Sequence, residues 1–216
     1  MAKRVGIIGS GVVGQTLANG FIKHGYSVTI GTNTPAKQDE LRAKTNNNAG
    51  IGSFQETAAF GELVVLATKG TAAEAAVKSA GASNLAGKTV IDTTNPIADA
   101  PPVNGVLQYF TSQNESLMER LQKLAPEAHF VKAFNCIGHG FMVNPVFEEG
   151  RPTMFICGDD EGAKAEVKGI LDRFGFDVED AGKAEGARAI EPLCILWCIP
   201  GFLSNRWRHA FRLLRA

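Results

Sequence analysis

Apolar residues in this chain fall into short runs separated by stretches of helical spacing. Val5 to Ile8 is a compact run that ends in glycine, as a strand buried on both faces of a parallel sheet would. From Val12 to His24 the apolar residues Val13, Leu17, Phe21 and Ile22 recur at helical intervals, and Gly25 supplies the stop. Val28 to Ile30 predicts a second strand, and Pro35 opens a charged helix to Ala43, since proline is accommodated in a first helical turn.

The same alternation continues. Leu63 to Ala67 and Thr89 to Asp92 predict strands, joined by an alanine-rich crossover helix from Thr71 to Ala80. Ala98 to Glu115 is rich in proline, asparagine and glutamine and predicts a loop, with a helix from Glu115 to Leu124 after it. His129 to Phe134, Thr153 to Cys157 and Phe176 to Val178 predict further strands, and Glu161 to Phe174 an amphipathic helix. Strands alternating with helices define an α/β chain with a Rossmann-type, doubly wound parallel sheet. From Lys183 the pattern changes to two mostly apolar helices, Ala184 to Cys198 and Phe202 to Leu214, divided by Pro200-Gly201. The expected organisation is a dinucleotide-binding unit over residues 1–182 and a short C-terminal helical appendage over 183–216. No repeat of 20 to 50 residues stands out.

Composition narrows the partners. The 22 lysines and arginines balance the 22 aspartates and glutamates, so no overall field recruits nucleic acid or an acidic membrane surface. The N-terminus is broken by glycine too soon for a signal peptide, and no apolar run is expected to reach the roughly 18 residues that span a bilayer. The cytoplasm is the default expectation. Cys136, Cys157, Cys194 and Cys198 form no CxxC pair; buried thiols are expected rather than a metal site, because the Cys194/Cys198 pair lacks further ligands nearby.

The chemistry is concentrated in Gly9-Ser10-Gly11-Val12-Val13-Gly14, a GxGxxG run between a strand and a helix. Its first glycine allows the tight turn, the second lets backbone approach a pyrophosphate, and the third lets helix and strand pack closely. Free N–H groups and the positive end of the helix dipole then face the phosphates. An NAD site places an acid about 20 residues further on, where it accepts from the ribose 2′-OH. Here that stretch reads Gly31-Thr32-Asn33-Thr34-Pro35-Ala36-Lys37. With no carboxylate, two side-chain donors and Lys37 on the next turn, the expected cofactor is NADP(H). Thr32 and Asn33 can also simply cap the following helix.

Taken in order, GSGVVG, Gly31-Thr32-Asn33, Val90-Ile91-Asp92-Thr93-Thr94-Asn95-Pro96, Val131-Lys132-Ala133-Phe134-Asn135, Asp180-Ala181-Gly182, Ala187-Arg188 and Glu191-Pro192-Leu193 resemble the coenzyme F420-dependent NADP oxidoreductase family over essentially the whole chain. The resemblance implies hydride transfer between NADPH and a flavin or deazaflavin laid against the nicotinamide. It implies that Gly9, Ser10, Gly11, Val12 and Val13 hold the pyrophosphate and Thr32, Asn33 and Lys37 the 2′-phosphate. Thr68 and Lys69 would border the adenosine side, and Asn95, Pro96, Ala133 and Asn135 would line the nicotinamide. Where the family commonly offers a basic residue beside the 2′-phosphate this chain has Asn33, which implies a weaker NADP preference. Relatives that include the reductase domain of six-transmembrane metalloreductases pass the hydride to an ordinary flavin, so the acceptor is left open.

Direct hydride transfer depends on alignment more than on acid or base chemistry, so no catalytic dyad is expected. His139 is either a donor to an acceptor carbonyl or a surface histidine, and Asn135 either orients the nicotinamide carboxamide or caps a turn. Asp92 is expected to cap the turn after its strand. The run from Arg206 to Arg212, basic residues among aromatics, is a solvated face, an anchor for an anionic acceptor tail or a dimer contact. The apolar helix from Ala184 to Cys198 suggests a homodimer that also walls the acceptor site. Two competing functions remain: a non-catalytic NADP(H)-binding sensor, and a reductase of a small carbonyl or imine. Dehydrogenases of the latter kind carry a lysine on a later helix, and the helix from Ala184 to Cys198 has none.

Overall fold

A computed structural model describes residues 2–215. Its main sheet has six parallel strands in the order β3-β2-β1-β4-β5-β6, comprising β1 (Arg4–Ile8), β2 (Ser27–Gly31), β3 (Ala49–Gly52), β4 (Leu63–Leu66), β5 (Thr89–Asp92) and β6 (His129–Lys132). Every residue of β4 and β5 is buried, as strands covered by helices on both faces must be. The strand order reverses between β1 and β4, and in such sheets a ligand crevice opens at that switch, beyond the carboxyl ends of the strands.

Helices α1 (Val12–Lys23), α2 (Gln38–Lys44), α3 (Phe54–Phe60), α4 (Gly70–Ala80), α5 (Ala82–Leu85) and α6 (Leu117–Leu124) make the connections. Two apolar clusters form on opposite faces of the sheet. One gathers Leu17, Phe21, Ile30 and Phe134, and the other Phe54, Val77, Leu117 and Met118. Strand β3 and helix α3 are additions to the sequence reading. A capping box starts α3: Ser53 Oγ accepts from the Glu56 N–H while the Glu56 carboxylate accepts from the Ser53 N–H.

The last two strands, β7 (Thr153–Ile156) and β8 (Asp177–Asp180), do not extend the main sheet. They form a separate parallel pair, connected through α7 (Glu161–Arg173) and joined to the end of β6 by a single antiparallel bridge between Lys132 and Cys157.

The C-terminal part departs from the expected helix pair. A short turn (Ala184–Gly186) leads into α8 (Ala187–Ile190) and then α9 (Pro192–Ser204), which runs through Pro200-Gly201 instead of breaking there. The helix stops at Asn205, whose backbone is left-handed (φ 51°), and the N–H groups of Asn205 and Arg206 close back onto the Gly201 and Pro200 carbonyls. Residues 205–215 are therefore not the second helix; they form an extended tail. Gly201 makes this route possible, because a Cβ there would lie 2.2 Å from the Trp207 ring. The tail follows β7, with the Thr153 N–H donating to the Phe211 carbonyl and the Leu213 N–H to Thr153 Oγ1.

The 21-residue stretch Ala184–Ser204 is long and apolar enough by composition to cross a membrane, contrary to the expectation that no such run exists. In the fold it is divided among a turn and two helices, and Ala184, Ala187 and Ile190 are buried in the same cluster as Val90 and Leu117.

Candidate functional site

The cleft at the switch point has a volume of about 490 Å³ and is walled by three turns that leave the carboxyl ends of neighbouring strands. Gly11, Val12 and Val13 follow β1, Ala67 to Thr71 follow β4, and Thr93, Thr94, Asn95 and Ile97 follow β5. In register, Ile8 pairs with Leu66, Leu66 with Asp92, and Asp92 with Lys132, so the three turns start level with one another.

The glycine turn has the shape a pyrophosphate requires. Gly9 adopts φ +123°, and a Cβ there would sit 2.4 Å from the Ala67 carbonyl oxygen; a Cβ on Gly14 would meet the Gly9 oxygen at 2.1 Å. At Gly11 the position is reversed: a Cβ would meet nothing within 4 Å, so the fold tolerates a side chain that a phosphate in the cleft would not. No side chain caps α1, and its first internal bond is from the Gln15 N–H to the Gly11 carbonyl, which leaves the Val12, Val13 and Gly14 N–H groups without a partner in the helix. Gln15 Nε2 also donates to the Ser10 carbonyl at 2.8 Å and pins the turn.

At the end of β2, the partly buried Ser10 Oγ donates to Thr32 Oγ1 at 3.1 Å, which also accepts from the Thr34 N–H. The Thr32 hydroxyl thus helps to shape the turn. Asn33 and Lys37 are exposed beside it, and no carboxylate stands on this strand end; the next acids are Asp39 and Glu40 on α2. The donor set fits the 2′-phosphate of NADP.

The structure sorts the remaining sequence candidates into two groups. Thr68, Lys69 and Asn95 line the cleft, and Thr68 Oγ1 is a buried hydroxyl with no partner in the protein. Pro96 is buried next to Asn95, whereas Ala133 and Asn135 lie buried behind the wall. Asn95 Nδ2 donates to the Asn135 carbonyl at 2.8 Å, while Asn135 Nδ2 donates to Asn95 Oδ1 at 3.1 Å and to the Ile190 carbonyl at 2.9 Å. His139 is an exposed residue of the turn His139–Phe141 and is not among the residues that wall the cleft.

Two features of the site carried no signal that the sequence reading used. Gly70 begins α4 so close to the β5 turn that a Cβ would lie 1.9 Å from the Asn95 oxygen. Beneath that turn Lys132, fully buried, places its ammonium 2.6 Å from the Asp92 carboxylate and 2.9 Å from that of Glu191. Burial works against the lysine charge, but the two acids outweigh it and raise its proton affinity. Asp92 Oδ1 accepts from the Thr94 N–H and hydroxyl, as expected of a residue capping the turn. Cys136, Cys157 and Cys194 are buried, and burial pushes the first two thiols up to about 12, which removes them as nucleophiles near neutral pH.

Sheet order, glycine turn and cleft together define a dinucleotide-binding Rossmann unit. Residues 4–96 match the family model for coenzyme F420-dependent NADP oxidoreductases. A candidate F420-dependent NADP reductase from Arthrobacter sp. FB24 is 32% identical, with each chain covered over its full length and a TM-score of 0.91. Metalloreductase STEAP3 of Rattus norvegicus is 30% identical over 207 residues; the match takes in 94% of this chain, which spans 39% of the length of that relative. A reductive aminase from Aspergillus terreus, solved with NADPH4, cyclohexanone and allyl amine, shares the fold at 20% identity and a TM-score of 0.66, over 94% of this chain and 63% of its own. This chain belongs to the coenzyme F420-dependent NADP oxidoreductase family, a family of NAD(P)-dependent oxidoreductases.

Proposed function

We propose that this protein transfers a hydride between NADP(H) and a flavin or deazaflavin acceptor laid in the cleft between the β1, β4 and β5 turns. The observation that carries this reading is the wall itself. Val12, Val13, Ile97 and Ala98 line it together with Thr93, Thr94 and Asn95, and Lys69 and Asp99 are the charged residues on the lining. Such a wall aligns two flat rings and keeps water off them, and hydride transfer asks for little more. Bound NADPH supplies the hydride. The chain holds its phosphates on the Gly11 to Val13 turn, meets the 2′-phosphate with Thr32, Asn33 and Lys37, and fixes the wall through the Asn95–Asn135 pair.

Oxidation of NADPH followed with free flavin, with deazaflavin and without acceptor tests the reading. Turnover with one of the ring acceptors is expected. Tight NADP binding with none would leave the sensor function, and turnover only with a small carbonyl or imine would replace the acceptor class.

We infer in addition that the working form is a homodimer. Leu196, Phe202 and Leu203 of α9 and Val103 and Val106 of the loop before α6 are exposed, Gly105 between the two valines packs against Leu203 and Phe202, and a twofold axis would bury these apolar side chains on both copies at once.

A further inference from the structure

We propose that Lys132 is a positioning residue for hydride transfer, acting through Thr94 to hold the β5 turn that forms one wall of the cleft. The idea rests on the function proposed above, but its evidence lies in how the buried charges are wired. An ammonium has three protons to donate. Lys132 Nζ donates to the Thr94 carbonyl oxygen at 2.9 Å and forms ion pairs with the Asp92 carboxylate at 2.6 Å and the Glu191 carboxylate at 2.9 Å. A cation buried this completely persists only when such partners replace its hydration.

Each acceptor leads to a different part of the molecule. Asp92 Oδ1 holds the Thr94 N–H at 2.9 Å and the Thr94 hydroxyl at 2.7 Å, so with the bond from Lys132 all three polar groups of Thr94 are fixed. Thr94 lines the cleft, and the next residue is Asn95. The Glu191 carboxylate accepts from the Leu117 and Met118 N–H groups at the start of α6, and its backbone carbonyl accepts from the Tyr109 hydroxyl. Lys132 therefore clamps the cleft wall to α6 and to the α8–α9 junction. A structural ion pair would need one acid and no bond to the wall; the bond from Lys132 to the Thr94 carbonyl, with the two bonds from Thr94 to Asp92, points the arrangement toward the wall. A one-ångström looseness in such a wall can cost a hundredfold in rate with little loss of cofactor affinity, since the phosphates are held elsewhere on Gly11 to Val13.

The test uses Lys132→Met, of similar length and uncharged, and Glu191→Gln, which keeps the lysine and its other two acceptors. Amide hydrogen exchange in the absence of substrate is read first: Lys132→Met should lose at least tenfold protection at the Thr94 amide with the β1 and β2 amides unchanged, a result independent of whether the acceptor has been named correctly. With the best acceptor, kcat should then fall at least thirtyfold while the Kd for NADP stays within threefold. Glu191→Gln should show the same split at about fivefold. Should Lys132→Met fail to fold, Glu191→Gln decides. Unchanged Thr94 protection, or kcat within twofold of wild type in a folded variant, overturns the proposal. Absence of turnover in the wild type with every acceptor would instead count against the proposed function, leaving the exchange result to judge the clamp.

Discussion

Asn95 and Asn135 bind each other reciprocally, the side chain of the first donating to the backbone carbonyl of the second and the side chain of the second donating to the side-chain oxygen of the first. This joins the turn after β5 to the turn after β6 and, through the Ile190 carbonyl, to α8. Replacing Asn135 with alanine leaves Asn95 Oδ1 and the Ile190 oxygen without their donor, and an unsatisfied buried polar group costs about 1–3 kcal/mol. Urea unfolding of Asn135→Ala should show a loss of that size; a variant as stable as wild type would mean the pair is dispensable.

Gly11→Val separates folding from binding. A side chain at this position meets open space, so the melting temperature should stay within a degree or two. NADP affinity should fall by about 2 kcal/mol, roughly thirtyfold in Kd, because the valine occupies the approach to the pyrophosphate. Fluorescence titration checks it, and unchanged affinity would move the cofactor elsewhere.

Thr32→Asp should shift the relative affinity away from NADP and toward NAD. A carboxylate at the end of β2 accepts from a ribose 2′-OH and repels a 2′-phosphate by about 1–4 kcal/mol, depending on local screening. The ratio of the NADP and NAD dissociation constants, measured for both proteins, gives the answer; a ratio that does not move would show that this strand end does not face the ribose.

Acid should weaken the junction between α6 and α8. Arg188 donates to both oxygens of Glu119, and with the Ser116 cap this holds the Glu119 carboxyl down at about 2 despite partial burial. Because the folded value lies below the unfolded one, the stabilisation is fully present above the ordinary glutamate range and is lost as pH falls toward 2. Unfolding free energy measured from pH 6 to pH 2 should decline less steeply in Glu119→Gln than in wild type. Parallel profiles would remove Glu119 from the acid response.

Light scattering should find the wild type dimeric and a Leu196→Glu/Leu203→Glu variant folded and monomeric. Trp197 is the wrong probe, although it lies on the same helix. It is buried within one chain, stacked on His209, and donates its indole N–H to the His209 carbonyl. A wild type that runs as a monomer at micromolar concentration would end the dimer proposal.

Much of this molecule is legible from local pattern. The glycine turn and five of the six main strands follow from runs of apolar residues and one motif, because buried parallel strands must be apolar and phosphate turns must be bare. Strand β3 was not legible: Ala49-Gly50-Ile51-Gly52 has a single β-branched residue, and its pairing with β2 is set by the sheet. Helix α3 was not read either: the Ser53–Glu56 capping spacing is its one local signal, and its seven residues give little periodicity. The Asp92–Lys132–Glu191 cluster joins residues far apart in sequence, and nothing in a charged residue's neighbours says that it will be buried. The tail misled for a plain reason: alternating basic and aromatic residues satisfy a helical pattern, while the decisive contact is between Trp207 and Gly201.

That tail has a consequence for solubility. The pair β7–β8 stands apart from the main sheet, and a short two-stranded sheet with an open edge is a template on which another chain can pair. Residues 211–213 bond to Thr153 along that edge, so the extended C-terminus works as a built-in guard against intermolecular strand addition. Truncation before Arg206 should leave the cleft intact and yield a protein that self-associates into aggregates as its concentration rises.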